Sequence, residues 1–349
     1  MAAEGPEAMT YSAMTRFLDA LRGRPKDRVP LFPMVAAWAA ANFSDVPPAQ
    51  LALEPQRIVQ AQVRARETVG YDALFAYAHA LSVPEAFGCR IRFAETGPIA
   101  DPLSSSMRSL DDVSRFPVPD PRESKSLSLN LEVVRGLSRY GNGDLPVLGL
   151  FEGPLTTTCR LFEPDLIMRM PYKNKEVLEA LLDKVSTFLL GFGRALIACG
   201  ANILFVPEPT ASSTMISPAM FRLFVLPRLQ ALMSRLDVPC ILHICGDTSL
   251  ILEPMGETGA KVLSLDQCMN LPEARGKVPD AVLGGNVDPI NALLMGTRER
   301  VSENTLKCLE EAGTARFVLM TGCGVPPKTS VENLKAMVET AIDYGLGNS

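Results

Sequence analysis

"PCILHICGDTS", residues 239–249, begins with a short run that is apolar almost throughout and stops at Gly246 and Asp247. A strand buried on both faces reads this way, without the polar alternation that marks a solvent side. Seven other segments have the same form: "VPLFPMV" from 29, "DALFAY" from 72, "LPVLGLF" from 145, "NILFV" from 202, "KVLSLD" from 261, "AVLGGNV" from 281 and "ARFVLMTG" from 315. Helical patterns separate them. "NKEVLEALLDKVSTFLLGF", from 174, puts Val177, Leu178, Leu181, Leu182 and Val185 on one face. "SPAMFRLFVLPRLQALMSRL" starts with Ser217 as cap and Pro218 at the first helical position, and Pro227 is expected to kink it. "TSVENLKAMVETAIDYG" opens with capping-box spacing from Thr329 to Glu332 and is expected to close on Gly345.

Eight strands, each followed by a helix, predict a (β/α)8 TIM barrel. A doubly wound sheet is the alternative with the same alternation. "SAMTRFLDALRG", 12–23, adds an N-terminal helical extension. The stretch from about 80 to 140 is an insertion between strands two and three, with a hairpin at "CRIRFAETGPIAD" and a Pro/Ser-rich loop at "PVPDPRESKSLS". Residues 1–9 read as a disordered tail and 10–349 as a single barrel domain.

Composition narrows the function. The chain has 349 residues, 47% hydrophobic and 21% charged, with a net charge of -5. It has no run of lysines or arginines, so nucleic acid and acidic membrane surfaces are poor partners. No stretch approaches a membrane-spanning length of apolar residues, and "MAAEGPEAMT" lacks a signal-peptide pattern, so the expected location is the cytoplasm. Eight scattered cysteines without a secretion signal are expected to be reduced.

In a barrel, chemistry gathers where strands end. Strand three ends at Glu152, strand four at Glu208 and Thr210, and strand five at His243 and Cys245. Strand six ends at Asp266, strand seven at Asn286 and Asp288, and strand eight at Cys323 in "GCG". Residues i and i+2 of a strand share a side, so His243 and Cys245 can face one ion. Alone, that pair reads more readily as a core histidine beside a core cysteine. With Cys323 three strands on, one imidazole and two thiolates make the ligand set of an open zinc site. Cys268 is a competing candidate for the third ligand. Cys89, Cys159, Cys199, Cys240 and Cys308 read as packing residues, and Glu152, Glu208 and Asp266 have the alternative of capping a helix or pairing with an arginine. His79 is a loop residue with a possible part in substrate contact.

In this order, "EPTAS", "HICGDTS", "SLDQ", "GNVDP" and "GCG...ENL" resemble the uroporphyrinogen decarboxylase superfamily, with the stronger likeness to its methylcobamide:coenzyme M methyltransferases. The likeness runs from "RFLDALRGRPKDRVP" to "ENLKAMVETA". It implies a (β/α)8 barrel with zinc on His243, Cys245 and Cys323, and Asp266 as the carboxylate that fills the fourth position before the substrate thiol arrives. Asp266 and Glu208 are the expected catalytic carboxylates; Glu152, Asn286 and His79 are expected to line the cofactor side. The implied reaction moves a methyl group from a methylated corrinoid (methylcobalamin type), presented by a transiently bound corrinoid protein, to a small thiol such as coenzyme M or another acceptor. Two alternatives stand beside it: a decarboxylase-like enzyme, and a non-catalytic corrinoid- or tetrapyrrole-binding protein with structural zinc. The superfamily's decarboxylases grip porphyrinogen propionates with arginines that follow the first strand. Here that segment is "VPLFPMVAAWAAANFSD", which has no arginine.

Overall fold

The computed structural model describes residues 11–24, 27–76, 81–94, 97–103 and 109–347. The expected tail at 1–9 and His79 lie outside these residues. Nine strands follow in chain order: β1 (Leu74–Ala76), β2 (Arg90–Ala94), β3 (Gly97–Asp101), β4 (Val147–Leu150), β5 (Ile203–Pro207), β6 (Cys240–Ile244), β7 (Val262–Leu265), β8 (Val282–Val287) and β9 (Phe317–Thr321). Seven of them form one parallel sheet in the order β1-β4-β5-β6-β7-β8-β9. A doubly wound sheet reverses its strand order at a switch point. Here the order never reverses.

The sheet closes through residues 30–32. Leu31 forms a parallel bridge with Leu319. Phe32 N donates to Leu319 O at 2.9 Å, Leu319 N to Pro30 O at 2.9 Å, and Asp72 N to Leu31 O at 2.9 Å. This segment therefore takes the eighth position, between β9 and β1, and the fold is a (β/α)8 barrel. It is far shorter than "VPLFPMV" predicts, because Pro30 and Pro33 have no N–H to give to a ladder. The Asp72 carboxylate compensates by accepting from Leu31 N and from the guanidinium groups of Arg16 and Arg28.

Strands β2 and β3 are the expected antiparallel hairpin. The helix Lys125–Gly141 starts inside the sequence read as a Pro/Ser-rich loop, with Ser124 as its cap. Ser217 caps as expected, accepting from Met220 N at 3.2 Å. The helix widens to a π-helical turn at Phe221–Val225 just before Pro227, which has no N–H to give to the preceding turn. The last helix differs in both end signals. Ser330, not Thr329, accepts from Asn333 N at 3.1 Å, and the helix runs to Gly347. Gly345 is there for close packing: an added Cβ would lie 2.6 Å from Asp27 O.

Which side chains face the barrel interior follows from contacts. Phe75 of β1 and Phe205 of β5 are not on neighbouring strands, yet their rings lie 5.7 Å apart, so both point inward. Phe205 stacks on His243 at 5.9 Å, which places the imidazole inside as well. Gly149 and Phe151 face outward instead. A Cβ on Gly149 would meet Leu196, and Phe151 packs against Phe192, both on the helix Lys175–Ala198. By alternation Leu148, Leu150 and Glu152 point into the barrel.

Candidate metal centre

His243 and Cys245 stand at the C-terminal end of β6, two residues apart and therefore on the same side. His243 Nε2 lies 3.1 Å from Cys245 Sγ. Cys245 Sγ lies 3.6 Å from Cys323 Sγ, just past the end of β9. The three donor atoms all fall within 4.8 Å of one another. Gly322 is what lets the chain bring Cys323 in: an added Cβ there would sit 2.4 Å from Gln267 N, so only glycine passes that close to the end of β7.

The sulfur separation is far beyond the roughly 2.05 Å of a disulfide. The donor set suits zinc. Four-coordinate zinc with bonds of about 2.0–2.3 Å needs its ligand atoms about 3.5–3.8 Å apart. The observed 3.1 and 3.6 Å lie close to that range. Hydrogen bonds from Cys245 and His243 hold the Cys323 thiol below its ordinary range. The bond with Cys323, followed by burial, pushes Cys245 up. One thiolate is thus favoured within the trio, and thiolate is the form that ligates a metal.

Three neighbours brace the donors. His243 Nδ1 lies 3.1 Å from Ser264 Oγ and 3.3 Å from Ser264 O. Asp266 is buried and accepts from Gly246 N at 2.8 Å and from Cys268 N at 3.0 Å, tying the loop after β6 to the loop after β7. Gly246 has φ +78°, so its N–H reaches Asp266 from a turn that other residues resist. Asn286 donates from Nδ2 to Asp266 O at 2.9 Å and to Met269 O at 2.8 Å, and its Oδ1 accepts from the Cys308 thiol. Its amide is spent on holding the Asp266 loop.

Glu208 and Glu152 occupy a separate corner, at the ends of β5 and β4. Glu208 is fully buried and accepts from Leu155 N (3.2 Å), Thr156 N (2.6 Å) and Thr156 Oγ1 (2.6 Å). These donors open the helix Pro154–Leu161, so the carboxylate serves that helix's N-terminus. Burial pushes Glu208 up to about 7 despite those bonds. Its backbone N–H donates to His243 O at 2.8 Å, which joins this corner to β6. Glu152 pairs with Arg160 at 3.0 and 3.1 Å. Asp288 caps the turn Pro289–Leu294, accepting from Ile290 N and Asn291 N. Cys268 is exposed and stands outside the donor group.

Ser264, Gly322 and Thr156 were not singled out by sequence. Ser264 had a signal, since it sits two residues before Asp266 on one strand and so shares its side. Thr156 had none, because its contact with Glu208 spans separate βα units. No helix among the described residues is long and apolar enough to cross a membrane.

The chain is equally identical to proteins of two different activities. It is 28% identical to the methylcobamide:CoM methyltransferase MtbA of Methanosarcina mazei, over 96% of this chain and 98% of the relative. It is also 28% identical to a uroporphyrinogen decarboxylase of Pelobacter propionicus, over 93% and 97%. The solved structure of a methyltransferase from Methanosarcina mazei superposes with a TM-score of 0.86 at 26% identity, covering 96% of this chain and 99% of that one. Coverage and the solved structure favour the methyltransferases, and the protein is a methyltransferase-type enzyme. The family model of uroporphyrinogen decarboxylase (URO-D) matches residues 12–344, and the chain belongs to that family.

Proposed function

We propose that this protein is a zinc-dependent methyltransferase that takes a methyl group from a methylated corrinoid and gives it to a thiol such as coenzyme M. The corrinoid would be brought to the barrel mouth by a transiently bound partner protein in the cytoplasm, with the chain from residue 10 acting as one barrel domain. The observation that carries this reading is the convergence of His243, Cys245 and Cys323 within 4.8 Å at the strand ends. The likeness to a named methylcobamide:CoM methyltransferase supports it, and so does the arginine-free segment after the first strand, which offers no partners to a polycarboxylate porphyrinogen.

Zinc bound there would keep a substrate thiol deprotonated at neutral pH, where a free thiol of pKa about 8.5 is mostly protonated. Cys245 and Cys323 contribute two negative charges that offset the metal's own, so a sulfur beside them stays electron-rich. His243 is oriented by Ser264, and Asp266 is the carboxylate assigned to the fourth position before the thiol arrives. Glu208 holds the start of the helix Pro154–Leu161 beside β6, and Asn286 holds the loop that carries Asp266; Glu152 and His79 are assigned to the substrate side of the mouth. The corrinoid would supply the methyl group and keep the bonding pair, the thiol would lose its proton to solvent, and its sulfur would gain the methyl.

The test is to mix the protein with methylcobalamin and candidate thiols and follow Co(I) and Co(II) formation by absorbance. Thiol-dependent loss of methylcobalamin is expected. Full zinc occupancy with no dealkylation by any thiol or folate would overturn the reading in favour of a binding protein with structural zinc.

A further inference from the structure

One residue crosses the open end of the barrel beside the thiols. His243 points inward, its ring meets Ser264 Oγ, and Ser264 is the register partner of both His243 and Gly284. Register partners on parallel strands share a side, so Gly284 faces inward too. A Cβ added to Gly284 would lie 2.7 Å from Met320 Sδ, which puts Met320 inside and, two residues on, Gly322. The room left by the missing Gly322 side chain is taken by Gln267: an added Cβ would lie 2.7 Å from Gln267 Oε1 and 2.8 Å from Gln267 Cβ. Strand β8 separates β7 from β9, so an inward contact between their ends spans the mouth. Gln267 makes that contact, against the residue next to Cys323.

The backbone of Gln267 is fixed, while its side chain is not. The Asp266 carboxylate accepts from Gly246 N and Cys268 N, and Asn286 Nδ2 donates to the carbonyls of Asp266 and Met269, so the loop is held on both sides of Gln267. The Gln267 side chain is exposed and has no hydrogen-bond partner among the described residues. With Oε1 turned to Gly322, the amino end is left for a group that enters from solvent. A free donor on a braced loop, beside converging soft ligands, is preorganised for an incoming acceptor atom.

We propose that Gln267 touches the methyl acceptor. Its carboxamide N–H donates to the acceptor's sulfur where that sulfur comes to rest beside Cys245 and Cys323, and so fixes the direction from which the sulfur receives the methyl group. A thiolate suits this donor, because a hydrogen bond to an ionised partner is about twice as strong as one to a neutral partner. The assignment rests on reading the site as a thiol-binding metal centre.

The test loads wild type, Gln267→Leu and Gln267→Glu with cobalt(II) and titrates each with 2-mercaptoethanol, following thiolate-to-metal charge transfer. Leucine keeps bulk against Gly322 without a donor; glutamate keeps the shape and sets a carboxylate against the sulfur. Because Gln267 is exposed, cobalt content and Tm are expected to match the wild type. The thiol Kd should rise about tenfold in Gln267→Leu and further in Gln267→Glu. The charge-transfer band of the bound thiol should also move to longer wavelength in Gln267→Leu, since a hydrogen bond stabilises the sulfur lone pairs and its loss raises them. Equal Kd and band position in all three proteins overturns the assignment to Gln267 alone. A wild-type spectrum indifferent to thiol overturns it together with the thiol-binding reading. Weakened thiol binding in the variants, with no dealkylation of methylcobalamin by any of the three, upholds Gln267 as the thiol contact, and only the methyl-transfer reading falls.

Discussion

The two corners of the barrel mouth treat their polar atoms in opposite ways. At the β4–β5 corner, Glu208 is buried and takes three donors from one helix start, while Glu152 takes a guanidinium. At the β6–β9 corner, Ser264 steadies His243 from its Nδ1 side, while His243 Nε2 and the Cys245 and Cys323 thiols converge on one another. Carboxylates with full sets of protein donors do structural work. Soft donors that converge without such partners are arranged for something the chain itself does not supply. The same strand-end address therefore hosts a brace on one side and a candidate metal centre on the other.

That contrast can be broken by substitution. The largest effect is expected at the thiol corner: Cys323→Ala should lose stoichiometric zinc and thiol-dependent dealkylation together, with the fold intact by circular dichroism. Retention of full zinc would remove Cys323 from the ligand set. At the brace, the pattern inverts. Glu208→Ala leaves Leu155 N, Thr156 N and Thr156 Oγ1 without their acceptor and should cost about 3 kcal/mol of stability in denaturant unfolding. An unchanged midpoint would show that the helix start is satisfied some other way.

The buried Glu208 also has a pH signature. Its folded-state value, near 7, lies above the ordinary 4.5, so between those values the folded state holds a proton that the unfolded chain has released. Stability should fall as pH rises through this window, and Glu208→Gln should flatten that slope; an identical slope in the variant would contradict it. A smaller loss is expected for Asn286→Ala, about 2 kcal/mol, from releasing the carbonyls of Asp266 and Met269. Smallest is Ser264→Ala, which should weaken zinc binding about tenfold, since the backbone carbonyl of residue 264 still faces His243 Nδ1. Competition with a chromogenic chelator measures it, and an unchanged affinity would leave the hydroxyl without a part in orienting the ring.

Features carried by short-range pattern were legible in the sequence. The apolar runs read as parallel strands, the Ser217–Pro218 start and the hairpin are where the pattern puts them, and His243 with Cys245 could be placed on one side of a strand by period alone. Features that depend on distant partners were not. Pro30 and Pro33 shorten the first strand to a bridge, because closure needs donors that proline lacks. Gly345 looks like a helix stop until Asp27 is found packed against it. The donors of Glu208 stay hidden until Thr156, from the preceding βα unit, is found beside it. In each case the missing information is which segment lies opposite, and local propensity does not carry that.

The central claim is that His243, Cys245 and Cys323 hold a thiophilic metal with a position left for substrate, and cobalt(II) substitution tests it most directly. Absorbance of the cobalt-loaded wild type should show thiolate-to-metal charge transfer in the near ultraviolet and intense tetrahedral visible bands. Both should change on addition of 2-mercaptoethanesulfonate. A weak octahedral spectrum without charge transfer, or one indifferent to the added thiol, would contradict the account.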